Sequence, residues 1–281
     1  MIHSDWHIHS EYSYDAMLPL ETLIARGREI GLRRFGVTDH ANYNDEKFLG
    51  DLRASAENVK RMQVDCPELM LGVELTPIAK PEFDYIAKTG TREGYIAPIQ
   101  DAPYDIELAA TKQELMELGV RYAIGAAHWR VDVADRANAD NSPDNLIKEW
   151  YRQQMWLACD PRVTILGHPW YNGKAVWYED FSVIPHSMNM DIAAALKENG
   201  KYVECNVCMV CAGKASDRFH HQYAEFLREL FEMGIPITYG SDCHGKPEGK
   251  YPDRRAAAEA ILSAAGFRDG DISELDEAVL W

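Results

Sequence analysis

Leu69-Met70-Leu71-Gly72-Val73-Glu74 is a short apolar run that stops on a carboxylate. The run has the length and bulk of a buried strand. A carboxylate that finishes a buried strand needs a partner, and a metal ion is one of the few good ones. The two oxygens of a Glu also allow it to bridge two cations. The same design recurs along the chain. Phe35-Gly36-Val37-Thr38 ends in Asp39-His40, Tyr122-Ala123-Ile124-Gly125-Ala126-Ala127 in His128, and Val163-Thr164-Ile165-Leu166-Gly167 in His168. Lys201-Tyr202-Val203 leads to Glu204 and Asn206, and Ile235-Pro236-Ile237-Thr238-Tyr239-Gly240-Ser241 leads to Asp242 and His244. An N-terminal strand running to His7 and His9 makes seven candidate strands.

Amphipathic segments lie between them. Leu20, Leu23, Ile24 and Gly27 share one helical face after Pro19, a residue suited to a helix start. Ser142-Pro143 opens a second helix to about Trp156, and residues 188–199, 217–233 and 253–264 read as helices too. Strand–helix alternation predicts an α/β fold with parallel strands and crossover helices. In such barrels the C-terminal strand ends face the active site. Seven segments delivering ligand-type residues to one rim therefore point to a single functional centre. Neither a linker nor an internal repeat divides the chain, so residues 1–281 are expected to form one domain. The segment 76–111, with Pro, Gly and charge but little periodicity, reads as a long excursion and a candidate lid.

The 281 residues suffice for one α/β barrel and a sizeable core. A formal net charge of −16 opposes binding to nucleic-acid polymers and to anionic lipid. A small phosphorylated substrate is not excluded, because bound divalent cations would make the site locally positive. No stretch approaches the roughly 20 apolar residues of a membrane-spanning helix, and the N-terminus lacks a signal-peptide pattern. The expectation is a cytoplasmic protein, in which the six cysteines do not form a disulfide framework.

His7-Ile8-His9 places two imidazoles on one strand face, where both can reach one metal. Asp242-Cys243-His244 repeats the arrangement with two ligand types. Alone, each fits two polar strand residues, and His128 or His168 alone fits a hydrogen-bonded core histidine. Together they do not: six of the ten histidines occupy strand ends, with Asp15, Glu74 and Asp242 beside them. His3, His186, His220 and His221 lack that context and read as structural or surface residues.

In order, Asp5-x-His7-x-His9-Ser10, Thr38-Asp39-His40, Gly72-Val73-Glu74, Gly125-x-x-His128, Leu166-Gly167-His168-Pro169, Glu204-x-Asn206 and Gly240-Ser241-Asp242-x-His244 resemble the PHP (polymerase and histidinol phosphatase) metallophosphoesterases. The resemblance covers about residues 3 to 246, and Thr38-Asp39-His40 followed by Asn42-Tyr43 is most similar to the histidinol-phosphatase branch. It implies a distorted (β/α)7 TIM-like barrel holding three divalent metal ions (Zn, Mn or Fe). By the resemblance, His7, His9, Glu74 and Asp242 would hold one metal. Glu74, His128 and His168 would hold a second, and Asp15, His40 and His244 the third. Asp15 stands where some members carry His, which favours harder cations without excluding Zn. The implied activity is hydrolysis of a small phosphate monoester, L-histidinol phosphate first among candidates, by a metal-activated hydroxide, with Glu74, Asp242 and His244 catalytic. No side chain stands out as general acid.

Arg130, just past His128-Trp129, and Lys214, after Asn206, are the candidate phosphate contacts; each could instead be a solvated surface charge. Histidinol phosphatases often carry Arg in the region of Lys214. Trp129, Trp170 and Tyr171 could wall the pocket or belong to the core. Cys205-x-x-Cys208-x-x-Cys211 has the spacing of part of an iron–sulfur motif but no fourth Cys at short range, so buried thiols are expected. The rival readings are the same chemistry on a nucleotide, sugar phosphate or phosphodiester, a metal-dependent amidohydrolase or deaminase, and a binding protein with structural metals. The Glu at the third strand's end and the Asp-x-His at the last favour phosphoryl chemistry.

Overall fold

The computed structural model describes residues 1–136, 138–172, 176–245 and 251–281. Lys246, the last position of the family resemblance, lies outside them. Seven strands form the barrel: β1 (Ser4–Ile8), β2 (Arg34–Val37), β3 (Leu69–Leu75), β4 (Tyr122–Gly125), β5 (Ile165–Leu166), β6 (Tyr202–Asn206) and β7 (Ile237–Gly240). Each pairs in parallel with the next in chain order. Between β7 and β1 the ladder thins to the mouth. There Asp242 N donates to the His7 carbonyl at 2.8 Å and His9 N to that of Cys243 at 3.0 Å. The result is the nearly closed, distorted (β/α)7 barrel that the sequence predicts.

Alternation along the strands explains both ends of the barrel. Trp6, Met70, Tyr122, Ile124, Ile165 and Tyr202 pack with Leu275 into one cluster that floors the interior. Glu74 lies four residues beyond Met70, His128 four beyond Ile124 and Glu204 two beyond Tyr202, so the same inward face rises from apolar floor to polar mouth. β1 departs from strict alternation through a register shift between Asp5 and Ile8. Tyr122 spans the interior and donates to the Trp6 carbonyl at 2.7 Å. Gly36 makes room for it, since a Cβ there would lie 1.7 Å from the Tyr122 hydroxyl oxygen.

Helices Leu20–Glu29, Pro143–Cys159, His186–Glu198, Asp217–Glu232 and Arg255–Ala264 match the expected segments within a few residues. Helices Glu46–Met62, Lys80–Thr89 and Lys112–Leu118 are additions. Asp45 caps the first by accepting from Phe48 N at 3.1 Å. Thr111 and Glu114 form a reciprocal capping box on the last. The excursion 76–111 is thus more ordered than its weak periodicity suggests. Ile78–Ala79 pairs antiparallel with Ile106–Glu107 at its base, and the helix Lys80–Thr89 lies between. Two-residue strands are too short to display a period.

Candidate metal centre

The strand ends deliver their side chains to one point, and Glu74 is its middle. Completely buried at the end of β3, Glu74 turns Oε1 toward His168 Nε2 at 3.0 Å and His128 Nε2 at 3.3 Å. Its Oε2 faces His40 Nδ1 at 2.7 Å, His9 Nε2 at 3.4 Å and His7 Nε2 at 3.5 Å. Asp242, from the turn after β7, brings Oδ1 to 3.3 Å from His9 Nε2 and 3.5 Å from both His7 Nε2 and His244 Nδ1. Asp15, on the loop after β1, stands 3.5 Å from both His40 Nε2 and His244 Nε2. His40 reaches the centre because the short strand His40–Ala41 pairs with β3 at Glu74.

Every residue assigned to metal from the sequence therefore falls in this one cluster. Three subsets could each share a cation, their donor atoms lying within 4.8 Å of one another: His9, His40 and His244; His7, His9 and Asp242; His40, Glu74 and His128. His9 and His40 each belong to two subsets and so stand between neighbouring positions.

The donors fit divalent cations. His168 Nδ1, His40 Nδ1 and Glu74 Oε2 are buried without a hydrogen bond. His40 Nδ1 and Glu74 Oε2 are 2.7 Å apart but not aligned as donor and acceptor. Buried polar atoms left unpaired are costly, and a cation among imidazoles and carboxylates satisfies them. Burial would raise the carboxyls of Glu74 and Asp242. The surrounding histidines overturn this and hold both well below their ordinary values, so both are ionised. Burial lowers His9 and His128, keeping a lone pair free on each. Backbone strain marks the same place: among the described residues, the non-glycine positions with positive φ are His168 (23°), Trp170 (66°) and Asp242 (51°).

A second layer fixes which ring nitrogen faces inward. The Ser13 hydroxyl donates to Asp39 at 3.0 Å, so toward His9 Nδ1, 2.9 Å away, it can only accept. The Thr76 hydroxyl donates to Asn42 at 2.5 Å and likewise accepts from His128 Nδ1 at 2.9 Å. Glu204 takes the Nδ1 hydrogen of His7 at 2.7 Å. In each case the proton is held on Nδ1 and the Nε2 lone pair is turned to the centre. Glu204 also accepts from His168 N at 2.6 Å and from the Asn206 amide at 3.2 Å. Gly240 admits it, because a Cβ there would meet Glu204 Oε1 at 1.8 Å. The sequence places Glu204 in a motif but gives it no task. Its position at the end of an apolar strand, like Glu74, is the available signal. Asp39 accepts from Ser10, Ser13 and Ser55, and anchors the loop that carries these partners. Asp5 anchors the other side, accepting from Ser241 N, His7 N and Tyr251, with burial pushing its carboxyl up to about 6.

The proposed phosphate contacts are placed differently. Arg130 is buried, with its guanidinium held by Asp132 at 2.9 and 2.5 Å and by the Asp140 carbonyl at 2.6 Å. Lys214 is exposed in the turn beyond the short helix Val207–Val210. Trp170 is core, donating to Asn189 at 2.9 Å. Trp129 and Tyr171 lie against His128 and His168, with ring centres 6.0 and 5.0 Å away. Cys205 packs in the main core, away from the face of Glu204, and among the described residues no cysteine joins a group spaced for a metal. His3, His186, His220 and His221 all lie outside the cluster, paired with Asp269, Glu229, the Met209 carbonyl and the Asp217 carbonyl. Among the described residues no helix is long and apolar enough to cross a membrane.

A family model described as the PHP domain matches residues 5–208. A probable histidinol-phosphatase of Thermotoga maritima is 27% identical over 88 residues, which make up 29% of this chain and 36% of that relative. The matched region thus spans little more than a third of the relative's length. Among solved structures, the fold is similar to histidinol phosphate phosphatase of Lactococcus lactis, crystallised with zinc, L-histidinol and phosphate. That similarity has a TM-score of 0.68 at 15% identity and covers 99% of this chain and 98% of that one. It is also similar to a putative histidinol phosphatase of Listeria monocytogenes, with TM-score 0.62 at 12% identity over 90% of this chain and 99% of that one.

Proposed function

Because the chain belongs to the PHP domain family, we propose that it is a metal-dependent phosphoesterase of one domain that hydrolyses a small phosphate monoester, with L-histidinol phosphate the leading substrate. The observation that carries this reading is the convergence of five imidazoles on the two oxygens of buried Glu74, with Asp242 and Asp15 alongside. Three divalent ions (Zn, Mn or Fe), once bound, would activate water and neutralise the charge that develops on the phosphoryl group.

The chain's own residues do the rest. Glu74 presents one oxygen to each half of the centre. Asp242 closes the mouth between His9 and His244. Ser13, Thr76 and Glu204 hold the Nδ1 hydrogens of His9, His128 and His7, so that three Nε2 atoms stay aimed without reorganisation. The floor of Trp6, Tyr122 and Tyr202 seals the barrel beneath and keeps bulk water on the mouth side.

The test is phosphate release from L-histidinol phosphate, beside nucleotide phosphates, sugar phosphates and a phosphodiester, with the protein loaded in turn with Zn, Mn and Fe. Preferred turnover of histidinol phosphate, abolished in Asp242→Asn, is the expected result. Turnover of a different ester keeps the chemistry and discards the substrate. A metal-loaded protein that hydrolyses none of them contradicts the proposal.

A further inference from the structure

A dianionic ester approaching a chain of net charge −16 gains from a side-chain cation at the mouth of the site besides the metal ions. Neither residue expected to supply it lines the cavity at Asp242 and His244: Arg130 is consumed by Asp132 and the Asp140 carbonyl, and Lys214 stands beyond Gly213 on its rim. A different arginine lines a cavity beside the centre. Asp242 and His244 line a cavity of about 250 Å³ whose other walls include Cys208, Gly213, Pro252 and Arg254. We propose that Arg254 is the phosphate-binding cation of this site, contacting the outer oxygens of the ester's phosphoryl group while its inner oxygens meet the metal centre.

The surroundings of Arg254 keep it available. Asp253, the carboxylate beside it in sequence, is already held by Arg255, whose Nε and second guanidine nitrogen lie 2.9 and 2.8 Å from its two oxygens. Among the described residues no carboxylate forms an ion pair with Arg254, which is exposed and lines the cavity. The thiol of Cys211 feels the charge of Arg254, but burial keeps that thiol protonated and therefore uncharged. The rest of the wall is small or apolar: Ala212, Gly213 and Pro252 leave room and offer no competing anion. A planar guanidinium with several donors suits a phosphoryl group, which it can grip with two parallel hydrogen bonds. Position 254 carries no motif in the sequence; it sits at the start of helix Arg255–Ala264, on the wall of this cavity.

The inference rests on the phosphoesterase reading, and the experiment separates the two. Binding of inorganic phosphate to the metal-loaded protein is measured by titration calorimetry for wild type, Arg254→Gln and Arg254→Lys, with metal content determined for each. In parallel, kcat and KM are taken on whichever ester wild type hydrolyses. Loss of a charge-assisted contact predicts phosphate binding weakened by about tenfold to a hundredfold in Arg254→Gln, with unchanged metal content. KM should rise more than kcat falls, and Arg254→Lys should recover part of the loss because the charge is kept. Equal phosphate affinity in wild type and Arg254→Gln overturns the role of Arg254 and leaves the phosphoesterase reading standing. A wild-type protein that holds its metals yet neither binds phosphate nor releases it from any ester overturns both.

Discussion

At the residue scale the centre depends on two kinds of group, those that face the gap and those that aim them. Glu204 belongs to the second kind: it touches His7, His168 N and Asn206 rather than the gap itself. Glu204→Gln keeps the shape but can present an N–H where His7 needs an acceptor, so the His7 ring loses its fixed tautomer. Removing such an outer partner typically costs about 10- to 100-fold in metal affinity or activity. The variant should therefore fold, bind metal more weakly by that factor and lose turnover in step. Competition against a chelator of known affinity checks it, and wild-type affinity would show that His7 is oriented by something else. Most of the facing residues were legible in the sequence because each ends an apolar run, whereas Asp15, on a loop, came from the family resemblance alone. The aiming residues were less so. Ser13, Thr76 and Asn42 look like ordinary loop polars until the fold brings Asp39 and the histidines to them.

At the element scale, alternation along the strands explains why ligands appear where they do. Met70, Gly72 and Glu74 share one face of β3, so the apolar floor and the polar mouth are successive layers of one column. Small residues make this possible. Gly240 on β7 leaves the space that Glu204 Oε1 occupies, and a methyl group there would sit 1.8 Å from that oxygen and 2.7 Å from His7 Cβ. Gly240→Ala should push Glu204 out of place. Overpacking of this kind costs about 1–3 kcal/mol, so the melting temperature should fall by several degrees and metal content should fall with it. Differential scanning calorimetry with elemental analysis reads both; an alanine variant with wild-type stability and metal content would show that Glu204 has room to move. The strands and five helices were readable from period and from Pro19, Pro143 and the apolar faces. Helix Lys80–Thr89 was hidden inside a charged segment rich in Pro and Gly. The strand His40–Ala41 is two residues long, and its pairing with Glu74 is a long-range event no local pattern announces.

At the scale of the whole molecule, seven parallel strands in chain order bring residues from Asp15 to His244 within a few ångströms. The ordered motifs and the alternation of elements carried this much of the fold, since a parallel barrel has one simple way to place successive strand ends on one rim. What they did not carry was the charge arrangement of the mouth. Arg130 is close to His128 in sequence but turned to Asp132, whereas Arg254, outside every motif, lines the cavity beside Asp242 and His244. Side-chain pairing of this kind depends on which carboxylates the fold leaves unclaimed.

The histidines and carboxylates around Glu74 are proposed to hold several divalent cations. Metal content per chain, measured by plasma mass spectrometry on wild type and on Glu74→Gln after equilibration with Zn, Mn or Fe and removal of free ion, tests it most directly. More than one tightly held divalent ion per wild-type chain is expected, and a loss of more than one in a Glu74→Gln protein that remains folded, because both oxygens of that residue face the donor cluster. Wild-type protein that retains no divalent ion, or a Glu74→Gln variant that retains the full complement, would contradict it.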